Sequence, residues 1–305
     1  YIYDLRSGSL EALSGEPGFQ QFAKFSPDGT RIGFVRGNDI FVKDLESGEE
    51  RRLTRDGEPD RIFNGTFDWV YEEELDLQDG WRWSPDGERI AFWQLDDAPV
   101  RTMYYDLEHM ELYPSPVTVP YPKAGEENPE ARIGVVGVES GEIRWMDTDG
   151  EADEYLARME WADSSDELVI QRLNRLQNRL EVLLADAETG ESEVVLTETS
   201  ESWVDVDRHF RWLDGGSRFL WSSERDGYLH LYLYERSGEL VRQLTRGEWV
   251  VTNPVGVDHD GGWVYFLAHR DGPLETHLFR VRTSDGTIER VTEGAGTHSV
   301  QMNEQ

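Results

Sequence analysis

Cysteine is absent from this 305-residue chain, which excludes a disulfide framework and a thiolate metal site and leaves the compartment unread from redox chemistry. Lysine is scarce as well: Lys24, Lys43 and Lys123 are the only three, so arginine supplies almost all of the 30 basic residues. Set against 62 acidic residues, these leave a formal net charge of -32, which repels nucleic acid and excludes it as a partner. So acidic and Arg-biased a surface is expected of a halophile-like protein kept soluble in concentrated salt, where self-repulsion is screened; an ordinary acidic secreted protein is the alternative. No apolar run reaches the roughly 18 residues of a membrane-spanning helix and no signal-like segment opens the chain. A signal or anchor ahead of the abrupt start at Tyr1-Ile2-Tyr3-Asp4-Leu5 stays open. Neither a Gly-x-Ser-x-Gly nucleophile elbow nor a histidine in a triad-like setting occurs, so no catalytic residue is expected within the chain. Asp96-Asp97 and the Asp205/Asp207 pair lack the regular spacing of a calcium loop; no metal and no cofactor are assigned.

What the chain does have is repetition. Phe25-Ser26-Pro27-Asp28-Gly29-Thr30-Arg31-Ile32-Gly33-Phe34 returns as Trp83-Ser84-Pro85-Asp86-Gly87-Glu88-Arg89-Ile90-Ala91-Phe92, with weaker copies at Trp161–Ile170, Trp212–Trp221 and Val257–Phe266. Proline fixes φ at the first central position, aspartate supports the bend and glycine accepts φ > 0, so each copy is a tight turn between strands. A third strand then ends in Asp-Leu-Glu or its like, before Ser47-Gly48, Thr189-Gly190 or Ser237-Gly238, and a fourth runs into Leu-Thr. Four short antiparallel strands per unit of roughly 40 to 60 residues, with helix-period stretches nearly absent, predict an all-β propeller. About five full blades, a half blade at the amino end and a stub at Ser299-Val300-Gln301-Met302 suggest part of a larger, about eight-bladed ring. A small propeller closed by pairing its terminal strands is the alternative. The whole of 1–305 reads as this single domain, with 61–80 as a short helical arm between two blades.

That arm carries Asp68-Trp69-Val70-Tyr71-Glu72-Glu73-Glu74. By residue type alone it is either a solvated acidic edge with Trp69 and Tyr71 packed under it or a grip for a positive charge, since two adjacent helical carboxylates about 100° apart can flank an ammonium. The string resembles the DWVYEEE segment of the dipeptidyl peptidase IV branch of the prolyl oligopeptidase superfamily. Downstream, Tyr121-Pro122-Lys123-Ala124-Gly125-Glu126 with Asn128-Pro129 is similar to the YPKAG..NP segment of the same family, in the same order.

The resemblance covers essentially the whole chain and implies the amino-terminal propeller of a serine peptidase that releases X-Pro or X-Ala dipeptides. Glu73 and Glu74 then take the positions that hold the substrate's free amino terminus, a ruler setting its distance from the catalytic serine. Glu72 matches a glutamate without that role, and Asp68, Trp69 and Tyr71 would hold the arm in place. Lys123 is expected to be exposed and paired with local acids. Implied partners are peptides with a free amino terminus, a carboxy-terminal α/β-hydrolase domain of the same parent chain carrying the triad, and a second copy in a homodimer. Implied locations are periplasmic, secreted or membrane-anchored. One departure is that no arginine stands in Leu13–Gln20, where the resemblance places a carbonyl-binding arginine; Arg6 and Arg61 are nearby, and Arg208 is nearest to a second such position. A tripeptidyl-releasing relative, or a propeller acting only as a binding scaffold, remains an alternative.

Overall fold

The repeated Ser-Pro-Asp-Gly strings fold as their residues dictate. In the computed structural model, which describes all residues except 106–111, 114–115, 149–152, 259, 261 and 303–305, the Ser26 hydroxyl donates to Asp28 Oδ1 at 2.6 Å and accepts from the Arg31 amide at 3.0 Å. The Gly29 amide donates to the Ser26 carbonyl at 2.8 Å, with Gly29 at φ +73°. Ser84, Asp86, Gly87 and Arg89 repeat the arrangement, Gly87 also at +73°. Each turn feeds the second strand of a blade.

The chain forms two compact units, Tyr1–Trp161 with Ser165–Arg175 and Ala185–Ser192, and Ala162–Ser164 with Leu176–Leu184 and Glu193–Gln305. The first unit opens with a two-stranded hairpin, β1 (Ile2–Tyr3) and β2 (Leu10–Glu11), the expected half blade. A four-stranded antiparallel sheet follows in chain order: β3 (Gln20–Phe25), β4 (Arg31–Arg36), β5 (Asp39–Asp44) and β6 (Glu50–Arg52). The next sheet begins with β7 (Ile62–Asn64), then helix α1 (Trp69–Leu75), β8 (Trp81–Trp83) and β9 (Arg89–Asp96). A separate hairpin, β10 (Thr102–Tyr105) and β11 (Val117–Pro120), leads to β12 (Glu130–Gly137) and β13 (Ile143–Trp145), which complete that sheet on the far side of β9. Strands β14 (Tyr155–Trp161) and β15 (Glu167–Leu173) pair antiparallel, with β16 (Arg179–Asp186) and β17 (Ser192–Thr199) following in the strand order. The second unit holds the sheets β18 (Arg211–Leu213) to β21 (Leu240–Gln243), through β19 (Arg218–Ser223) and β20 (His230–Glu235), and β22 (Val251–Asp258) to β25 (Ile288–Arg290), through β23 (Trp263–Ala268) and β24 (His277–Arg282).

Among the described residues these are five sheets of propeller-blade type, the all-β architecture the repeats predict. One expectation changes. Ser299–Met302 is not a strand; Thr297 makes an isolated bridge to Thr276 instead. In the copy at Val257–Phe266, Asp258 ends β22 and Trp263 opens β23, while His259 and Gly261 lie outside the described residues.

The Leu-Thr that closes a blade has a structural use. Thr54 Oγ1 accepts from the Ile40 amide at 3.0 Å and donates to Asp39 at 2.7 Å. Thr245 accepts from the Leu231 amide and meets His230 Nδ1, and Thr292 does the same with Leu278 and His277. The fourth strand is thereby clasped to the start of the third by one hydroxyl. Blade faces supply the core: Val35, Ile40, Leu53, Trp81, Ile90, Phe92 and Val136 pack together in the first unit, and Leu220, Leu233, Val264 and Phe279 in the second. Burying each such side chain contributes about 1.5–3 kcal/mol.

Candidate functional site

The arm emerges from within one sheet and not between two. Strand β7 pairs with the Gln94–Asp96 end of β9, and β8 with Ile90–Phe92 of the same strand, so residues 66–79 interrupt a single edge of the ladder. The gap is bridged at Trp93, whose carbonyl accepts from the Gly65 amide at 2.9 Å and whose amide donates to the Gly80 carbonyl at 3.0 Å. The Gly80 amide donates to the Gly65 carbonyl at 3.1 Å, closing the neck. Glycine is required there: Gly65 has φ +72°, and a Cβ on Gly80 would sit 2.8 Å from the Gly65 carbonyl carbon.

Within the arm, Asp68 starts the helix. Its buried carboxylate accepts from the Val70 and Tyr71 amides, each at 3.1 Å, satisfying two of the donors that a helix start leaves free. Asp76 ends it in the left-handed conformation, φ 55°, its amide returning to the Tyr71 carbonyl. Val70, Tyr71 and Leu75 are buried, whereas Glu72, Glu73 and Glu74 are exposed. The Tyr71 ring stacks on Phe67 at 5.7 Å and its hydroxyl accepts from the Leu156 amide at 3.1 Å. The carbonyl of the same Leu156 accepts from Trp93 Nε1 at 2.8 Å. Trp69 meets Tyr121 at 4.3 Å, which ties the first family string to the second, and Asn128 Nδ2 donates to the Tyr155 hydroxyl at 2.9 Å. Asp68, Trp69 and Tyr71 thus make the contacts that hold the arm, with Tyr121, from the second string, and Tyr155 and Leu156, which no local sequence signal marked, as counterparts.

Glu72, Glu73 and Glu74 form no ion pair with lysine or arginine among the described residues, although acids elsewhere, such as Glu50 with Arg36 at 2.6 Å, are paired. Burial and the charges of Asp68 and Glu73 raise the Glu72 carboxyl above its ordinary range. The arm thus displays an unneutralised triplet of carboxylates on a helix fixed from below, an arrangement able to accept several N–H donors from a cation.

The other flagged residues lie elsewhere. Lys123 is exposed but makes no ion pair among the described residues, and the nearby Glu126 pairs instead with Arg101 at 3.1 Å. Arg61 turns to Glu58 and Asp96, at 3.4 and 3.8 Å. Arg6 is exposed on the opening hairpin, its amide held by Asp4. Asp205 accepts from Trp203 Nε1 at 2.9 Å, and the buried Asp207 accepts from the Ser222 hydroxyl at 2.7 Å, so each has a partner within the protein.

Comparison with known proteins places this geometry in a family. The model of the dipeptidyl peptidase IV N-terminal region matches residues 1–305. The probable dipeptidyl peptidase 4 of Aspergillus flavus is 30% identical over 302 residues, covering 93% of this chain and 39% of the relative. The probable dipeptidyl-aminopeptidase B of Emericella nidulans is 31% identical over 343 residues, covering 100% of this chain and 37% of that protein. The crystal structure of Porphyromonas gingivalis dipeptidyl peptidase 4 superposes with a TM-score of 0.90 at 32% identity, covering 97% of this chain and 42% of the other. The chain therefore spans about two fifths of the length of these relatives.

Proposed function

Since the chain belongs to the family of dipeptidyl peptidase IV N-terminal regions, we propose that it is the substrate-recognition and access-restricting domain of a dipeptidyl aminopeptidase releasing X-Pro and X-Ala dipeptides. Glu73 and Glu74 bind the α-ammonium of the peptide, and an α/β-hydrolase domain of the same parent chain supplies the serine chemistry. The observation that carries this reading is the exposed carboxylate triplet, without an ion pair among the described residues, on a buried-faced helix. A peptide amino terminus has a pKa of about 7.7–8.0, so it is largely protonated at neutral pH and offers three N–H donors to two carboxylates. Acetylation removes the charge and most of the donors. Holding the terminus at a fixed point makes cleavage depend on distance from it, which converts a general peptidase into one that counts residues.

The test is hydrolysis of Ala-Pro-p-nitroanilide by the full-length gene product, with the substrate amine free and acetylated. Only the free form is expected to be cleaved, and Glu73→Gln or Glu74→Gln should lower kcat/KM by about 30-fold or more, the scale of removing one partner from a hydrogen-bonded charge pair. Equal cleavage of both substrates, or unchanged kcat/KM in both variants, would refute the assignment.

A further inference from the structure

Asp97 follows β9 at the foot of the arm. It is 5% exposed, and its Oδ1 has no hydrogen-bond partner among the described residues. Its backbone is fixed, the amide donating to the Arg61 carbonyl and the carbonyl accepting from the Val100 amide, both at 2.8 Å. The charged groups facing it are all acidic: Asp68 from the arm, Asp96 from its own strand and Asp60 from the segment before β7. Nearby arginines are engaged elsewhere, Arg61 with Glu58 and Asp96, and Arg101 with Glu126.

Two buried carboxyls thus compete to be neutral. Asp68 has two amide donors that favour its charged form, and Asp97 Oδ1 has none. An unpaired buried charge is the costlier state, so the proton belongs on Asp97. Burial first, then the charge of Asp68, push the Asp97 carboxyl up to about 8.

We propose that Asp97 is a proton-controlled positioning residue for the arm: neutral, it leaves Asp68 free to cap α1, and ionised, it sets a second buried charge against that cap and releases the helix. The inference concerns the order of the arm and holds whether or not the arm binds a peptide. Its sign follows from linkage. A docked arm prefers the protonated carboxyl, whereas a released arm exposes Asp97 to water and lets it ionise in the ordinary range near 4. Between there and about 8, rising pH therefore lowers the docked population, by at most about tenfold per pH unit, and above that window the loss levels off.

Hydrogen exchange at the Val70 and Tyr71 amides, corrected for the intrinsic pH dependence, reads this directly in the wild-type and Asp97→Asn proteins. Protection is expected to fall about tenfold or more between pH 6 and pH 8 in the wild type, and less than about threefold in Asp97→Asn. An equal fall in both proteins would overturn the proposal. A carbon-13 titration of the Asp97 side-chain carboxyl in the wild-type protein decides independently of whether the variant folds. A midpoint above about pH 7 supports the switch, and one below about pH 6 excludes it.

Discussion

Tyr71 stands in the middle of an acidic string, yet it is almost wholly buried, its hydroxyl serving a backbone amide of β14. Burial pushes that phenol well above its ordinary range, so it stays neutral through any pH at which the protein would be assayed. Tyr71→Phe keeps the ring stacked on Phe67 but leaves the Leu156 amide buried without its acceptor. The expected loss is about 1–3 kcal/mol, seen as a lower Tm, and an unchanged Tm would mean that the amide finds another partner. At this scale the sequence was partly legible. The string around Glu73 and Glu74 could be recognised because its order and residue types are unusual together. Asp97 could not, since Asp96-Asp97 reads as one more acidic pair in an acidic chain, and only packing reveals that one of the two is buried with its Oδ1 lacking a partner among the described residues.

Blades were more readable than their attachments. A Ser-Pro-Asp-Gly turn is closed by hydrogen bonds within six residues, and the Asp-x-x-Ser-Gly loop is equally local, Asp44 Oδ1 accepting from the Ser47 amide at 2.7 Å and Asp4 Oδ1 from the Ser7 amide at 2.7 Å. Such units can be named without knowing what lies across the sheet. The Leu-Thr repeat was visible as a pattern, but its purpose required the partner strand: Thr54, Thr245 and Thr292 each follow by 15 residues the Asp39, His230 or His277 that they meet. Thr245→Val preserves shape while leaving the Leu231 amide and the His230 ring short of a partner. A destabilisation of about 1–3 kcal/mol is expected by chemical denaturation, and a neutral result would show that the clasp is dispensable. The position of the arm was misread for a related reason. An insertion between blades and one inside a strand look alike when the two half-strands are only Ile62–Asn64 and Trp81–Trp83.

Over the whole molecule the dominant fact is charge. With a formal net charge of -32, self-repulsion opposes the folded state most at low ionic strength, where the screening length is about 30 Å at 0.01 M, and least near 1 M, where it is about 3 Å. Tm is therefore expected to rise between dilute and molar sodium chloride, and a flat curve would remove the argument for adaptation to salt. The glycine neck belongs to this scale too. Because Gly65 and Gly80 close the gap on Trp93 and on each other, the registers of β7 and β8 are set without reference to what is threaded between them. The arm is thus a cassette on a permanent socket. Evolution or an engineer can lengthen, shorten or exchange it while the blade beneath keeps its stitching, so change in the arm is uncoupled from the integrity of the scaffold.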